Sequence, residues 1–438
     1  MIKKPPNWKR HFSTNLLGRA LSSKELEQLA KKAAKEYVYW DKFKYYSFPE
    51  GFSAEESWAY VKFSRISNRE QTPIRAKQQD FFNFSLSRTL YQRLSFIDSQ
   101  TSGFLKSKWE KPSEAQKTQL IISGLSEEAI ASSQIEGANT SRKIAKEMIL
   151  SQRKPRTRDE QMIVNNYQVM QRLLDWKELD LSADILLEIQ KNITIHTLDE
   201  EEDTGRFRKD EDNIQVVDRL TGNTVFVPPS EEMVKQELKR LIRYANEEEK
   251  EEDFVHPVIK ASILHFWLAY LHPFVDGNGR TARALFYWYL LKKGYWMFQY
   301  LSVSRAIKES RSEYDSAFLY SEYDDNDLTY FLVYKTKVVM VAIEKFIEHY
   351  ERRVRREKEL EKIADLLKGF NERQVAILQY FYEHKEKTAD IRVHQNKHGI
   401  AYQTARTDLF ELVEKGFLTQ LKRKRKYEFV PNTVAIKK

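Results

Sequence analysis

Leu271-His272-Pro273-Phe274-Val275-Asp276-Gly277-Asn278-Gly279-Arg280-Thr281-Ala282-Arg283 is the densest pattern in a chain of 438 residues. On its left, residues 257–271 are apolar at helical spacing, with Val258, Ile259, Ile263, Leu264, Trp267, Leu268 and Leu271. On its right, a second apolar run extends from Arg280 to Leu291 and stops before Lys292, Lys293 and Gly294. Two buried helices therefore meet at a short polar loop. Pro273 disfavours helix at His272 and ends the first one. Gly277 and Gly279 let the backbone turn tightly, with N–H groups converging on one spot. The second helix, read as starting at Arg280, turns its positive dipole end toward the same spot. A nest of this kind is an anion site, and its natural ligand is a phosphate.

Three sets of side chains add chemistry. His272, at the lip, exchanges a proton near neutral pH. Asp276 is a hard oxygen ligand, suited to a magnesium ion shared with substrate phosphates. Arg280 and Arg283 lie three apart on one helical face and offer donors to further phosphate oxygens. Base, metal carboxylate, amide nest and two arginines together are the parts needed for nucleotidyl or phosphoryl transfer.

The stretch closely resembles the signature of the Fic family, His-x-Phe-x-Asp/Glu-Gly-Asn-Gly-Arg-x-x-Arg, and matches it at every fixed position. Further upstream, Ser132-Ser133-Gln134-Ile135-Glu136-Gly137 resembles the family's inhibitory motif, Ser/Thr-x-x-x-Glu-Gly/Asn. It lies before the loop, as in the class whose inhibitory helix is N-terminal to the catalytic core. The resemblance implies protein adenylylation: ATP and a Ser, Thr or Tyr hydroxyl of a protein give AMP-protein and pyrophosphate. In that scheme His272 is the base and Asp276 holds Mg²⁺. The N–H groups of Gly277, Asn278 and Gly279 steady the phosphates, and Arg280 holds phosphate oxygens. Arg283 takes the γ-phosphate when free and Glu136 when inhibited, with Ser132 and Gly137 as parts of the inhibitory motif. Transfer of another nucleotide or phosphoryl group, and removal of AMP with Glu136 orienting water, stay open.

Composition bounds the rest. The 41% hydrophobic and 13% aromatic fractions belong to a folded chain, and 13 Gly and 11 Pro point to long helices. There is no Cys, so disulfides, thiolate catalysis and cysteine zinc sites are excluded. The net charge of +9 is modest for this length. No signal-peptide core opens the chain, and residues such as Lys260 and Lys292 interrupt the apolar helices. A cytoplasmic protein with no membrane partner is expected.

The expected fold is mainly α. Residues 1–100 read as a helical extension, with helices at Leu26–Tyr39 (capped by Ser22 or Ser23) and Glu55–Arg69. Residues 101–350 read as the Fic-type core. Within them, Leu120–Ile135 reads as the inhibitory helix (about 120–137), broken at Gly124 and restarted by a Ser126 cap. Helices at 159–176 and 181–197 follow. Two short apolar runs, Ile214-Gln215-Val216-Val217 and Thr224-Val225-Phe226-Val227, flank a turn-rich tip and predict a β-hairpin. In Fic proteins such a flap grips the target segment by strand addition. Ser304-Arg305 and Tyr314 resemble segments behind the nucleotide pocket. His265 shares a helical face with His272, but a third zinc ligand is not evident, so His265 and His256 read as structural.

Ala342–Leu367 reads as a long charged helix, with 351–369 as a linker. Residues 370–434 read as three helices and a two-stranded basic wing, resembling a winged helix-turn-helix. Gln403, Thr404, Arg406 and Thr407 are of types that reach base edges and phosphates. From Lys415 onward there are eight Lys/Arg and one acid. DNA is therefore one partner to test, and a DNA-binding regulator is a rival function. An interaction protein with a silent site is another. ATP, an unidentified target protein, self-modification (23 Tyr are available) and a homodimer complete the expected partners.

Overall fold

The computed structural model describes the whole chain except residues 1, 67–68, 78–79, 102–112, 218–220, 249–250, 252–253, 362–368, 384–387, 424–425 and 433–438. At its centre lie the two predicted core helices, a leading helix Pro257–Leu271 and a trailing helix Asn278–Lys292. In each, thirteen of fifteen residues are buried, so they are core helices rather than surface amphipaths. Trp267, Trp288, Phe266, Phe274, Tyr287 and Tyr289 fill the space between them and their neighbours. The trailing helix starts two residues earlier than expected. Its N-cap is Gly277 in the left-handed region, which brings Asn278 and Gly279 into the first turn.

Around this pair pack Glu114–Ile135 (the Glu136 helix), Arg158–Trp176, Ala183–Thr194, Glu231–Asn246 and the long helix Thr329–Glu361. The Glu136 helix corrects an expectation. It is one unbroken helix of 22 residues, capped by Ser113 with Gln116 closing a capping box. Gly124 does not break it. A Cβ there would lie 2.6–2.7 Å from the carbonyl carbon and Cα of Tyr300, so the glycine lets two backbones touch. Ser126 is no cap either, since its hydroxyl bonds back to the Ile122 carbonyl within the helix at 2.6 Å. No helix among the described residues is long and apolar enough to cross a membrane.

The N-terminal part has its own aromatic cluster, in which Trp8, Trp40, Phe43, Trp58 and Val61 meet Tyr330 of the long helix. The helices Lys24–Glu36, capped by Ser23, and Ala54–Ile66 overlap those expected, but each ends three residues short: Tyr37 turns left-handed, and Arg69 opens a strand. The following segment is not helical. Strands β1 (Arg69–Arg75) and β2 (Phe81–Ser85) pair antiparallel, and Ile74, Phe82 and Phe84 enter the main core. Only Thr72 and Ile74 of β1 are buried, so its mostly polar sequence carries little strand signal, and Pro73 hides it further.

The flap forms, but shorter than expected: β3 is Val216–Val217 and β4 is Thr224–Phe226, with an irregularity between its two paired rungs. At the C-terminal end, Glu372–Glu383, Ile391–His398 and Tyr402–Glu414 enclose a small core of Phe381, Ile391, Leu409, Leu412, Leu418 and Phe429. The two expected strands, β6 (Leu418–Arg423) and β7 (Lys426–Pro431), are joined by a third, β5 (Ala389–Asp390), in the order β5-β7-β6. This unit rests on the Glu136 helix, where Ser113 Oγ donates to Glu372 Oε2 at 2.8 Å.

Candidate active site

The loop between the two core helices is closed by one buried amide. Asn278 Oδ1 accepts from Phe274 N at 2.9 Å, and its Nδ2 donates to Phe274 O at 2.8 Å. Both backbone groups that the turn would strand are thus satisfied. Gly277 is required at φ 84°, and a Cβ on it would meet Thr194 Cγ2 at 2.9 Å. The first bond of the trailing helix runs from Thr281 N to Gly277 O. The N–H groups of Asn278, Gly279 and Arg280 lie ahead of that ladder and form the positive end of the helix.

His272 ends the leading helix at φ 49°. Its Nδ1 donates to the Ala269 carbonyl at 3.2 Å. That bond fixes the tautomer and leaves the lone pair on Nε2. Burial holds its pKa below 6.5, and Arg208 pushes the same way; the Ala269 bond and the charges of Glu136 and Asp276 push back. Asp276 accepts from Gly277 N at 2.6 Å and from Arg280 Nη2 at 3.1 Å, and its side chain is 46% exposed. Arg280 points inward: its Nη1 donates to the Ile193 carbonyl at 3.1 Å, and the residue is fully buried. It orients Asp276 and ties the loop to the helix Ala183–Thr194.

Arg283 faces the Glu136 helix. Its Nε donates to Ser132 Oγ at 2.8 Å, and its Nη2 donates to Ser132 O at 3.0 Å and to Glu136 Oε1 at 2.8 Å. Nη1 is buried with no hydrogen-bond partner among the described residues. Burial would raise the Glu136 carboxyl, but Arg283, with Arg280 and Arg311 beyond it, pulls it down to about 2. The same carboxylate lies against Gly279, where a Cβ would stand 2.9 Å from Glu136 Cδ. An internal anion therefore already sits over the first turn of the trailing helix. Gly137, at φ 104°, turns the chain away behind it.

The sequence-derived residues thus converge: His272, Asp276, Gly277, Asn278, Gly279, Arg280 and Arg283 from the loop, and Ser132 and Glu136 from across it. The flap is set apart from them, on the leading helix. Phe226 packs on Tyr270 with ring centres 5.4 Å apart, and Thr224 Oγ1 donates to Gln215 Oε1 at 2.7 Å. Val217, Val225 and Val227 are exposed, while Ile214 and Val216 are half-buried. Of the expected tip, residues 218–223, the first three lie outside the described residues.

Ser304 and Tyr314 are committed elsewhere. Ser304 N donates to Glu128 Oε2 at 2.9 Å, and Tyr314 OH pairs with His265 Nε2 at 2.9 Å. His265 is fully buried, with Lys335 Nζ 3.1 Å from its other nitrogen. His256 pairs with Asp98 at 2.8 Å and caps the leading helix.

Some residues were missed by sequence reasoning. Gln190 is fully buried, donates to Asp276 O at 3.2 Å and accepts from Gly205 N at 2.6 Å. Its signal was legible: it stands four after Leu186 and three before Ile193, a polar residue on an apolar face. Arg208 bonds to the carbonyls around His272, and Arg311 donates to Ile135 O at 2.6 Å, holding the end of the Glu136 helix. Nothing in their spacing marks either.

Among the described residues, no group of three or more His, Cys, Asp or Glu is placed to hold a metal ion. Asp276, half-exposed at the lip, fits a cation that takes most of its oxygens from a bound phosphate.

The arrangement defines a class of site: a helix N-terminus flanked by an imidazole, a carboxylate and an arginine paired with a second carboxylate. Residues 180–290 match the model of the Fic/DOC family. The chain is 39% identical over 70 residues to protein adenylyltransferase fic-1 of Caenorhabditis elegans, covering 16% of this chain and 13% of that protein. It is 30% identical over 123 residues to protein adenylyltransferase Fic of Drosophila melanogaster, covering 27% of this chain and 22% of that protein. The match thus spans about a fifth of the length of such relatives. A Fic family protein from Desulfovibrio desulfuricans shares the fold, with a TM-score of 0.51 at 16% identity over 80% of this chain and 97% of that one.

Proposed function

We propose that the chain is an autoinhibited protein adenylyltransferase. His272 Nε2 takes the proton of a Ser, Thr or Tyr hydroxyl, and the freed oxygen attacks the α-phosphorus of ATP. The bond to the β-phosphate oxygen breaks, pyrophosphate leaves, and the proton remains on His272 until water removes it. The first turn of the trailing helix receives the phosphates, and Gln190, Asn278 and Arg280 keep the loop rigid. Asp276 would hold Mg²⁺, which would neutralise phosphate charge when bound. The flap would align the acceptor segment along β3 and β4, on another protein or on a second copy of this chain.

The observation that carries this reading is the Glu136 carboxylate lying against Gly279 and bonded to Arg283. A terminal phosphate would need the same arginine and the same first turn, which supports both an anion-binding nest and a brake upon it. The test is intact mass of Glu136→Gly after incubation with Mg²⁺-ATP. A gain of AMP that is absent in wild type and in Glu136→Gly/His272→Ala supports transferase, base and brake together. No gain with ATP, GTP, UTP or CTP, alone or with lysate acceptors, would refute the transferase reading.

A second reading concerns the C-terminal unit. Gln403, Thr404, Arg406 and Thr407 are all exposed on the helix Tyr402–Glu414, beside the basic β6–β7 hairpin. That supports a winged-helix contact with duplex DNA. Mobility shift at two salt concentrations tests it, since phosphate contacts weaken steeply with salt.

A further inference from the structure

We infer that Arg208 is the positioning residue that holds the His272 backbone in place and joins it to the base of the flap. The inference rests on the reading of His272 as the base. His272 is not a glycine, yet it adopts a left-handed conformation at φ 49°, ψ 56°. For such a residue that conformation is strained and persists only where its surroundings impose it.

Arg208 supplies those surroundings. Its Nε donates to His272 O at 2.7 Å, its Nη2 reaches Leu271 O at 3.4 Å, and its backbone N–H donates to Pro273 O at 2.8 Å. One residue thus engages three consecutive carbonyls at the end of the leading helix. Nη2 also donates to Pro229 O, three residues beyond Phe226 at the end of β4.

Arg208 is 5% exposed, and Asp210 Oδ1 lies 4.0 Å from its Nη1. Its charge is met chiefly by main-chain oxygens, which only a planar fork of five donors can serve together. Phe207 adds a stack on Phe274, with ring centres 5.4 Å apart. Lys77 donates to Val227 O on the other side, so two cations hold the end of the flap. The nest at 277–280 is held separately, by Asn278 and Gln190. Arg208 therefore governs where the base and the acceptor segment stand relative to each other, and leaves the nucleotide site alone.

The experiment compares Arg208→Ala and Arg208→Lys in the Glu136→Gly background, by AMP incorporation and by amide hydrogen exchange. Misplacement of a reacting group by about 1 Å costs up to about 100-fold in rate. Arg208→Ala should lower kcat at least about tenfold with KM for ATP changed less than about twofold. Exchange should rise together in peptides covering 268–275 and 224–233, but not in 277–283. Arg208→Lys, which keeps the charge but not the fork, should recover only part of the rate and of the protection. If Arg208→Ala lowers the melting temperature too far to assay, Arg208→Lys carries both readouts.

Wild-type-like rate, or protection lost in one segment alone, would overturn the inference. Should the Glu136→Gly parent itself add no AMP, the transferase reading falls, while the paired change in exchange still decides the role of Arg208.

Discussion

Glu136 and His272 work in opposite charge states, and their surroundings set both. The Glu136 carboxyl, brought from 4.5 to about 2 by Arg283, stays ionised through the physiological range. Its depressed value means that the ion pair stabilises the fold above pH 4.5 and loses that contribution only as pH falls toward about 2. The proposed brake is therefore not an acid switch. His272 is held below its ordinary 6.5 by burial, so the proposed base is neutral at pH 7. In Glu136→Gly the acid limb of the AMP-transfer rate should lie below pH 6.5, and lower than with the Glu136 charge present, because that charge raises the imidazole. Initial rates between about pH 5 and 8 check this; a limb above 6.5 would contradict it. Gly279 sits at the same point. Gly279→Ala puts a methyl into the Glu136 carboxylate, and should displace the brake while closing the nest to phosphate. Titration with Mg²⁺-ATP by calorimetry should show weaker binding than in Glu136→Gly.

The Glu136 helix is where local propensity and tertiary contact disagree. On propensity alone, Gly124→Ala should stabilise a mid-helix position by about 1 kcal/mol. The Tyr300 carbonyl carbon and Cα lie 2.6–2.7 Å from the added carbon, and these are backbone atoms that cannot swing away. Overpacking of this kind costs about 1–3 kcal/mol, so the steric term wins. A lower urea midpoint for Gly124→Ala is expected, and an unchanged or higher one would show that the two backbones separate freely. The glycine that reads as a break in the sequence is a contact point in the fold. The flap shows the reverse case: the apolar runs in 214–227 announce a hairpin, but pairing is limited to two rungs. Most of its outer side chains stay exposed, because packing on the leading helix comes chiefly through Phe226.

The N-terminal part is fastened to the core by buried charge as well as by aromatics. Lys62 is fully buried, with Nζ 2.7 Å from Asp324, 3.8 Å from Asp325 and 4.0 Å from Asp327. Asp327 also accepts from Tyr37 OH at 2.7 Å, and Arg65 donates to Tyr330 OH at 2.9 Å. Removing one partner of such a network leaves carboxylates uncompensated, at a cost of about 3–5 kcal/mol. Lys62→Met should lower stability by that order in a urea titration. A change below about 1 kcal/mol would mean that the aromatic cluster alone holds the part in place.

The sequence by itself determined the core helix pair, the loop chemistry from His272 to Arg283, the Glu136 motif, the flap and the C-terminal helices. Each is a local pattern: apolar period, glycine, proline or cap within a dozen residues. Tertiary structure alone decided that Glu136 reaches Arg283, that Arg280 turns inward to Ile193, and that Arg208 and Gln190 hold the loop. These contacts join residues from 63 to 147 positions apart. Burial decides which donor meets which acceptor, and no local spacing encodes it. Tertiary structure also made the Glu136 helix continuous, because a close backbone approach and a break call for the same residue, glycine.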